Sequence, residues 1–236
     1  MASAVHLRSA VALAGRFPAL SGVDLSVAAG EVVALLGPNG AGKTSVLRTC
    51  AGLLRVSAGE AVVLGCDLTT DRAAVRRRVG LLGHDAPLYD ELTASENVRF
   101  AVRAAGQPAA RVGPALDRLG LVGRLARTPA MRLSAGQRRR AALAVLVARA
   151  PELWLLDEPH AGLDASARAL LGELVTEAAA GGAGVLLSSH EPDLAWALAD
   201  RVVVLSGGRV AQERPGGRGA EIGTLEVLVG GDVDVA

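Results

Sequence analysis

Lys43 is the only lysine among the 236 residues of this chain, and it lies in a glycine-rich loop. Residues 37–44, GPNGAGKT, fit the pattern G-x-x-x-x-G-K-[ST] and follow an apolar run that is typical of a strand. Glycines let successive backbone N–H groups face an anion, and the start of the next helix also favours negative charge. Lysine adds a compact charge, for which the planar fork of arginine is no substitute. The loop predicts a phosphate-binding site, with a ligand-free strand, turn and helix as the alternative.

This loop indicates binding of the phosphates of a nucleotide together with Mg²⁺. Lys43 is expected to reach the β- and γ-phosphates, and the Thr44 hydroxyl is expected to coordinate Mg²⁺. The nucleotide contacts predicted in the loop are Gly37, Pro38, Asn39, Gly40, Ala41, Gly42, Lys43, Thr44 and Ser45.

The stretch LWLLDEP supplies two carboxylates that hydrolysis of a phosphate bond could use. Its four apolar residues predict a buried strand, which delivers Asp157 and Glu158 to the carboxyl edge of a sheet, where α/β folds bind ligands. We expect Asp157 to hold Mg²⁺ through water, and Glu158 to orient or deprotonate the attacking water. A merely solvent-exposed pair of acids is the alternative, and the phosphate loop weighs against it.

Short apolar runs alternate with helical stretches, which predicts an α/β fold with a mostly parallel sheet covered on both faces. Strands are expected over residues 31–36 and from residues 61, 153, 184 and 201. Helices are expected over residues 43–54, 94–105, 136–149, 165–180 and 192–199. Thr93 and Ser134 each stand three residues before Glu or Gln, a spacing that predicts a capping box at the start of a helix.

Composition narrows the classes of protein further. The 25 Lys and Arg residues nearly balance the 24 Asp and Glu residues, so nothing indicates a nucleic-acid partner. The arginine runs at 76–78 and 138–140 are expected to be solvated helix faces. Cys50 and Cys66 fit no metal or redox spacing, and no apolar run approaches the ~18 residues of a membrane span. Any role at a membrane is therefore expected to require a partner.

The order of the motifs resembles that of the ATP-binding cassette (ABC) family. RLSAGQRRR precedes LWLLDEPHAGLD by a single helix, and LLSSHE follows both. The residues that match the family signature, normally LSGGQ, include Ser134, Gly136 and Gln137. The resemblance implies that they contact the γ-phosphate of an ATP bound by Lys43 of a second subunit. Two copies would then form a homodimer with two nucleotides between them.

The resemblance also implies roles for residues near the phosphates. Glu158, His190 and Lys43 are the implied catalytic residues, and His190 would contact the γ-phosphate within its own subunit. Thr44 and Asp157 are the implied metal ligands, with ATP and Mg²⁺ as cofactors. Integral membrane transporter subunits are the implied partners, which would place this subunit peripherally on the cytoplasmic face of the cell membrane.

The implied fold is a P-loop NTPase of the ABC type over residues 1–210. An antiparallel β portion at the N-terminus is expected to join the α/β core, with a helical subdomain at about 85–149. Residues 211–236 are expected to form a tail. A hairpin strand beyond about Gly207 should lead into a mobile end.

The sequence departs from the family pattern at two positions, and one of them indicates a particular subfamily. His84 stands where most of these ATPases have a glutamine that links Mg²⁺ to the membrane-partner contact. The dipeptide GH before LTASEN, together with the tryptophan of LWLLDEP, resembles the ATPase subunit of the haem exporter in c-type cytochrome maturation. Phe17 is the candidate to stack on adenine, although strict spacing favours Ala14.

Other functions remain open at this point. A generic multidrug or lipid exporter competes with haem export, since the cargo is not contacted by this subunit. A soluble ABC ATPase that acts on DNA or ribosomes would need long coiled coils or two cassettes in one chain. A P-loop kinase or GTPase would lack SAGQ before the acid pair, and a guanine-reading NKxD motif is impossible when Lys43 is the only lysine.

Overall fold

Two β-sheets form the framework of the chain, for which the computed structural model describes residues 3–83 and 88–218. The described strands are β1 Ser3–Ala14, β2 Phe17–Ala28, β3 Val32–Leu36, β4 Arg55–Val63, β5 Cys66–Asp67, β6 Val79–Leu82, β7 Leu153–Leu156, β8 Gly184–Ser188, β9 Arg201–Ser206 and β10 Arg209–Pro215. The described α-helices are α1 Lys43–Cys50, α2 Arg72–Arg76, α3 Ala94–Ala104, α4 Val112–Arg118, α5 Ala135–Arg149, α6 Ala165–Ala180 and α7 Pro192–Leu198. The position of His84 and the end of the expected tail, from residue 219, lie outside the described residues.

The larger sheet has the strand order β10-β9-β3-β8-β7-β6, and its strands are parallel except for β10, which runs antiparallel to β9. The smaller sheet has the order β2-β1-β4-β5 and is antiparallel throughout. The predictions of a mostly parallel α/β core and an N-terminal antiparallel β portion are both confirmed.

Strand β7 shows that the larger sheet is covered on both faces. Leu153 and Leu155 pack into a core that the sheet shares with α1 and the smaller sheet. Trp154 and Leu156 point the other way, into a core formed with α3, α5 and α6. Side chains alternate across a strand, so a run of four apolar residues fills both cores at once. This anchoring holds the end of β7, where the two acids follow, in a defined place.

The helices α3, α4 and α5 pack against one another, within the range expected for a helical subdomain. The Thr93 side chain accepts the backbone N–H of Glu96, whose own side chain accepts the Thr93 N–H, so α3 begins with a capping box. Ser134 and Gln137 form the same arrangement at the start of α5. Both capping boxes are as the sequence predicts, whereas the boundary of the subdomain stays a prediction.

Two expectations about local structure are wrong. Helix α1 ends at Cys50 instead of residue 54, because Gly52 takes a left-handed φ of 67° and turns the chain towards β4. The arginine runs are not simply solvated helix faces. Arg139 is buried in α5, and Arg78 lies beyond α2, where its guanidinium pairs with Glu152.

The chain leaves the larger sheet through a hairpin. Gly207 and Gly208, both with positive φ, form the turn between β9 and β10, which confirms the expected hairpin strand. Within residues 3–83 and 88–218, no helix combines the length and the hydropathy that crossing a membrane requires.

Candidate active site

The glycine-rich loop joins the end of β3 to the start of α1, as the motif requires. Gly37 has a φ of 138°, and a Cβ on it would collide with the backbone carbonyl of Leu205 in β9. Gly42, with a φ of 106°, is the residue before α1, and a Cβ on it would lie 3.2 Å from the backbone oxygen of Ala19. These two positions let the backbone wrap closely, so that its N–H groups are available to an anion.

Lys43 lies at the start of α1 and is 5% exposed. Its Nζ donates to the carbonyl oxygens of Gly37 at 2.6 Å and Pro38 at 3.2 Å, which holds the ammonium across the loop. Burial lowers the pKa of Lys43, while the charges of Glu158 and Asp157 oppose this shift. A partly desolvated cation held between carbonyls is well prepared to exchange these partners for phosphate oxygens.

Asp157 brings β7 into contact with the phosphate loop. The Thr44 hydroxyl donates to its Oδ2 at 2.9 Å and lies 3.1 Å from its Oδ1. From β8, the buried Ser188 hydroxyl donates to Asp157 Oδ1 at 2.6 Å. The two predicted metal ligands, Thr44 and Asp157, are therefore adjacent, on neighbouring elements of the fold.

Glu158 and His190 meet on the other side of the same pocket. The Nε2 of His190 lies 2.5 Å from Oε1 of Glu158. Glu158 itself has a left-handed φ of 47°, which is unusual for a residue with a side chain. A carboxylate and an imidazole in contact beside a phosphate loop can orient a water molecule and accept its proton.

An open pocket of about 620 Å³ contains most of the predicted site residues. Those that line it are Asn39, Gly40, Ala41, Gly42, Lys43, Thr44, Ser45, Phe17, Glu158 and His190. Phe17, which is 79% exposed, and Ala14 both lie at its edge, so both candidates for the adenine contact remain. The fold thus assembles the loop, the second acid and the histidine from three separate parts of the chain.

Six of the predicted site residues that the structure describes do not line this pocket. Gly37 and Pro38 lie at the start of the loop, and Asp157 is connected to the pocket by its hydrogen bond from Thr44. Ser134, Gly136 and Gln137 line a second pocket of about 500 Å³, together with Gly162 and Asp164 of the stretch that follows Glu158. Among the residues that the structure describes, none lines both pockets. The signature residues of one chain therefore do not line the pocket of the same chain's phosphate loop.

Three buried polar residues near the site are missed by the sequence reasoning. Ser188 contacts both acids, and Arg139 donates from Nη2 to the carbonyl oxygen of Glu158 at 3.2 Å. The imidazole of His160 is 4% exposed, and no described residue is a hydrogen-bond partner of its Nδ1. Burial lowers the pKa of His160, as do the nearby charges of Arg168 and Arg139, while Glu191 opposes the shift. The only signal in the sequence is polar residues inside otherwise apolar elements.

The residues present fit Mg²⁺ only in combination with a substrate. In the described part of the chain, no group of three or more His, Cys, Asp and Glu side chains could hold a metal ion. Thr44 and Asp157 offer a hydroxyl and a carboxylate, which are the hard oxygen ligands that Mg²⁺ prefers. Mg²⁺ commonly takes one or two such ligands and completes its shell with substrate phosphates and water.

Comparison with known proteins gives results in agreement with this geometry. Residues 20–161 match the family model described as ABC transporter. The cytochrome c biogenesis ATP-binding export protein CcmA of Bordetella bronchiseptica is 43% identical over 199 residues, which cover 83% of this chain and 88% of that protein. The daunorubicin resistance ATP-binding protein DrrA3 of Streptomyces coeruleorubidus is 41% identical over 199 residues, 83% of this chain and 63% of that protein.

Solved structures share the same architecture. An ATP-binding subunit of an ABC transporter superposes with a TM-score of 0.83 at 30% identity and covers 89% of each chain. A dimeric ATP-binding cassette in a post-hydrolysis state, bound to ADP and phosphate, superposes with a TM-score of 0.80 at 25% identity. That comparison covers 89% of this chain and 98% of the other.

Proposed function

Because this chain belongs to the ABC transporter family, as an ATP-binding subunit, we propose that it hydrolyses MgATP to power a haem exporter of c-type cytochrome maturation. The observation that carries the hydrolysis is the meeting of Lys43, Thr44, Glu158 and His190 around one pocket, with Asp157 hydrogen-bonded to Thr44. The observation that favours this exporter is the match to CcmA, which extends over 88% of that protein.

The reaction follows from the contacts in the pocket. The loop N–H groups and Lys43 bind the β- and γ-phosphates, and the Thr44 hydroxyl, with the Asp157 carboxylate through water, would hold Mg²⁺. When bound, Mg²⁺ neutralises charge that develops on the phosphates. Glu158 accepts a proton from the water that attacks the γ-phosphorus, and the bond to the β–γ bridging oxygen breaks. His190 contacts both Glu158 and the γ-phosphate, so that the base and the substrate stay aligned.

The complete site requires a second copy of the chain. Ser134, Gly136 and Gln137 line a pocket separate from that of Lys43, and one of the solved relatives is a dimer. In a head-to-tail homodimer, the N-terminus of α5 from one subunit would close the nucleotide site of the other. Each subunit then contributes the phosphate loop to one ATP and the signature residues to the other.

The work of hydrolysis would be done on integral membrane subunits, with this chain at the cytoplasmic face of the membrane. His84 would contact Mg²⁺, water or the γ-phosphate and so couple the nucleotide state to those subunits. The near-neutral charge balance gives no support for a nucleic-acid partner. The competing function is the ATPase subunit of a multidrug or lipid exporter, which the 41% identity to DrrA3 supports.

The proposed hydrolysis is tested with Glu158→Gln. This change keeps the size of the side chain and removes the base, so kcat is expected to fall by a factor of about 100 or more. Binding of ATP should persist, since Lys43 and the loop are intact. Glu173→Gln, a change of an exposed acid on α6, serves as the control and should leave kcat as it is. Wild-type rates in Glu158→Gln would refute the assigned base.

The proposed exporter is tested in cells. The tagged chain is solubilised gently from its native membrane, and the proteins that co-purify are identified. Small membrane subunits of the cytochrome-maturation system are expected, and a Lys43→Ala strain should then lack holo-cytochrome c. Recovery of a drug- or lipid-exporter permease would leave the ATPase reaction in place and refute haem export.

A further inference from the structure

Glu158 holds a backbone conformation that its own residue type disfavours. Its φ of 47° is left-handed, a region that is costly for residues with a Cβ. Such conformations persist where the surroundings hold them, and they cluster at functional sites. The contacts that hold the Glu158 peptide therefore bear on how its carboxylate is aimed into the pocket.

Two buried side chains bind the Glu158 peptide from its two ends. The Ser188 hydroxyl on β8 accepts the Glu158 N–H at 2.9 Å while it donates to Asp157 Oδ1 at 2.6 Å. The Arg139 guanidinium on α5 donates to the Glu158 carbonyl at 3.2 Å and to the Gly83 carbonyl at 2.6 Å. Neither Ser188 nor Arg139 lines the nucleotide pocket, which favours an action through Glu158 and Asp157, the acids that they contact.

We propose that Ser188 and Arg139 are positioning residues of ATP hydrolysis, which together hold the Glu158 peptide so that its carboxylate faces the pocket of Lys43. The proposal rests on the proposed function, because it takes Glu158 as the base. The end of β8, which carries Ser188, and helix α5, which carries Arg139, would thus both position the base in the site of their own subunit. The first turn of α5 would contact the nucleotide of the partner subunit. Through Arg139, the same helix also contacts Glu158, the proposed base of its own subunit.

The two residues are expected to differ in one measurable respect. Ser188 also donates a hydrogen bond to Asp157, a proposed ligand of Mg²⁺, whereas Arg139 donates to the backbone carbonyls of Gly83 and Glu158 and acts on Asp157 through its charge. Loss of the Ser188 hydroxyl should therefore raise the Mg²⁺ concentration needed for half-maximal activity as well as lower kcat. Loss of the Arg139 guanidinium should lower kcat and should raise the Mg²⁺ requirement less than loss of the Ser188 hydroxyl does, because a charge acts on Asp157 without fixing the direction of its carboxylate.

The test measures steady-state hydrolysis against ATP and Mg²⁺ for Ser188→Ala and Arg139→Gln. Each kcat should fall about tenfold or more, with the KM for ATP within a factor of about 2. Ser188→Thr, which keeps the hydroxyl, should restore most of the rate. Thr49→Val is the matched control, because it removes a fully buried hydroxyl that has no hydrogen-bond partner among the described residues. Its rate should equal that of the wild type.

A double-mutant cycle with Glu158→Gln distinguishes a positioning role of Ser188 and Arg139 from a general loss of structure in their variants. If both residues act through Glu158, adding Ser188→Ala or Arg139→Gln to Glu158→Gln should change the residual single-turnover rate at saturating Mg²⁺ by less than a factor of about 2. A further fall as large as in the wild-type background would overturn the proposal, as would a change in KM alone. If Arg139→Gln does not fold, the rates of Ser188→Ala and Ser188→Thr still test the proposal. Failure of the proposed function is recognised separately, by equal rates of the wild type and Glu158→Gln.

Discussion

At the scale of single residues, burial and hydrogen bonds set the state of the charged groups before any substrate is bound. Lys43 lies between the carbonyls of Gly37 and Pro38, and burial lowers its pKa against the opposing charges of Glu158 and Asp157. The ammonium has therefore already lost much of its hydration. A phosphate that replaces the two carbonyls gains a charge-assisted hydrogen bond at a small desolvation cost.

His160 gives a prediction about acid stability. Burial lowers its pKa, so below the ordinary value of ~6.5 the unfolded chain binds a proton that the folded chain does not. This residue therefore costs the folded state up to about 1.4 kcal/mol for each pH unit below ~6.5, until the lowered pKa is reached. His160→Phe should reduce the loss of unfolding free energy between pH 7.5 and pH 5.5, as measured by urea denaturation at both values.

The matched control for this prediction is His6→Gln. His6 is exposed on β1, so its replacement should leave the acid loss of stability as in the wild type. An equal acid loss in His160→Phe and in the wild type would contradict the assignment to the buried imidazole.

At the scale of elements, the starts of α3 and α5 are specified by side chains that satisfy the first backbone N–H groups. The capping box of α5 also fixes where Ser134 and Gly136 stand, since a helix that began one residue later would present different N–H groups. Strand β7 likewise fixes the position of the two acids. Leu153–Leu156 are buried on both faces of the sheet, so the strand cannot shift along its axis, and Asp157 follows at a defined place.

The capping box of α3 predicts a change that lowers the stability of the fold and leaves the ATPase activity unchanged. Thr93→Ala removes the side chain that accepts the Glu96 N–H, at a cost of about 1 kcal/mol. For a domain of this size the melting temperature should fall by about 2 to 4 °C. The kcat for ATP should be unchanged, because Thr93 lies away from both pockets. Thr93→Ser should melt close to the wild type, and a lowered kcat in Thr93→Ala would show that α3 does more than support the fold.

At the scale of the whole molecule, the separation of the two pockets determines what one chain can do alone. The phosphate loop lines one pocket, and the signature residues line the other. The described residues of one chain keep these two faces apart, whereas a two-fold axis would bring each face to its complement on a second chain. Dimerisation is therefore part of the proposed catalytic site.

Mixing of two inactive variants tests this shared site. Lys43→Ala disables the phosphate loop, and Ser134→Arg disables the signature, so either homodimer should be inactive. In mixed dimers, the loop of the Ser134→Arg chain meets the intact signature of the Lys43→Ala chain. An equimolar mixture, after exchange of subunits, should reach about a quarter of the wild-type rate, since half of the dimers hold one intact site out of two.

The control is a chain that carries both changes. Mixed with Lys43→Ala, it forms no site with an intact loop, and the mixture should stay inactive. If the mixture of the two single variants were also inactive despite proven subunit exchange, each chain would have to use its own signature residues.

Much of the fold and the site could be predicted from local patterns in the sequence. The loop around Lys43, the buried run before Asp157, the capping boxes and the β9–β10 hairpin each depend on residues close together along the chain. The family resemblance, carried by motif order, agrees with the match over residues 20–161. The bounds of β1 and β2 and the end of α1 could not be predicted from the sequence. Strands β1 and β2 contain small and polar residues, which weaken the strand pattern, and Gly52 ends the helix early.

What the sequence by itself determined is which residues have the chemistry: one lysine among glycines, two acids after a buried strand, and a histidine at the end of another. Only the tertiary structure decided which polar groups are buried against them. Arg139 reads as one of three solvated arginines, yet the packing of α5 places it against the Glu158 carbonyl. Ser188 likewise reads as an ordinary serine until β8 lies beside β7. Hydrogen bonds between residues far apart in sequence depend on strand order and helix packing, which no short stretch of sequence specifies.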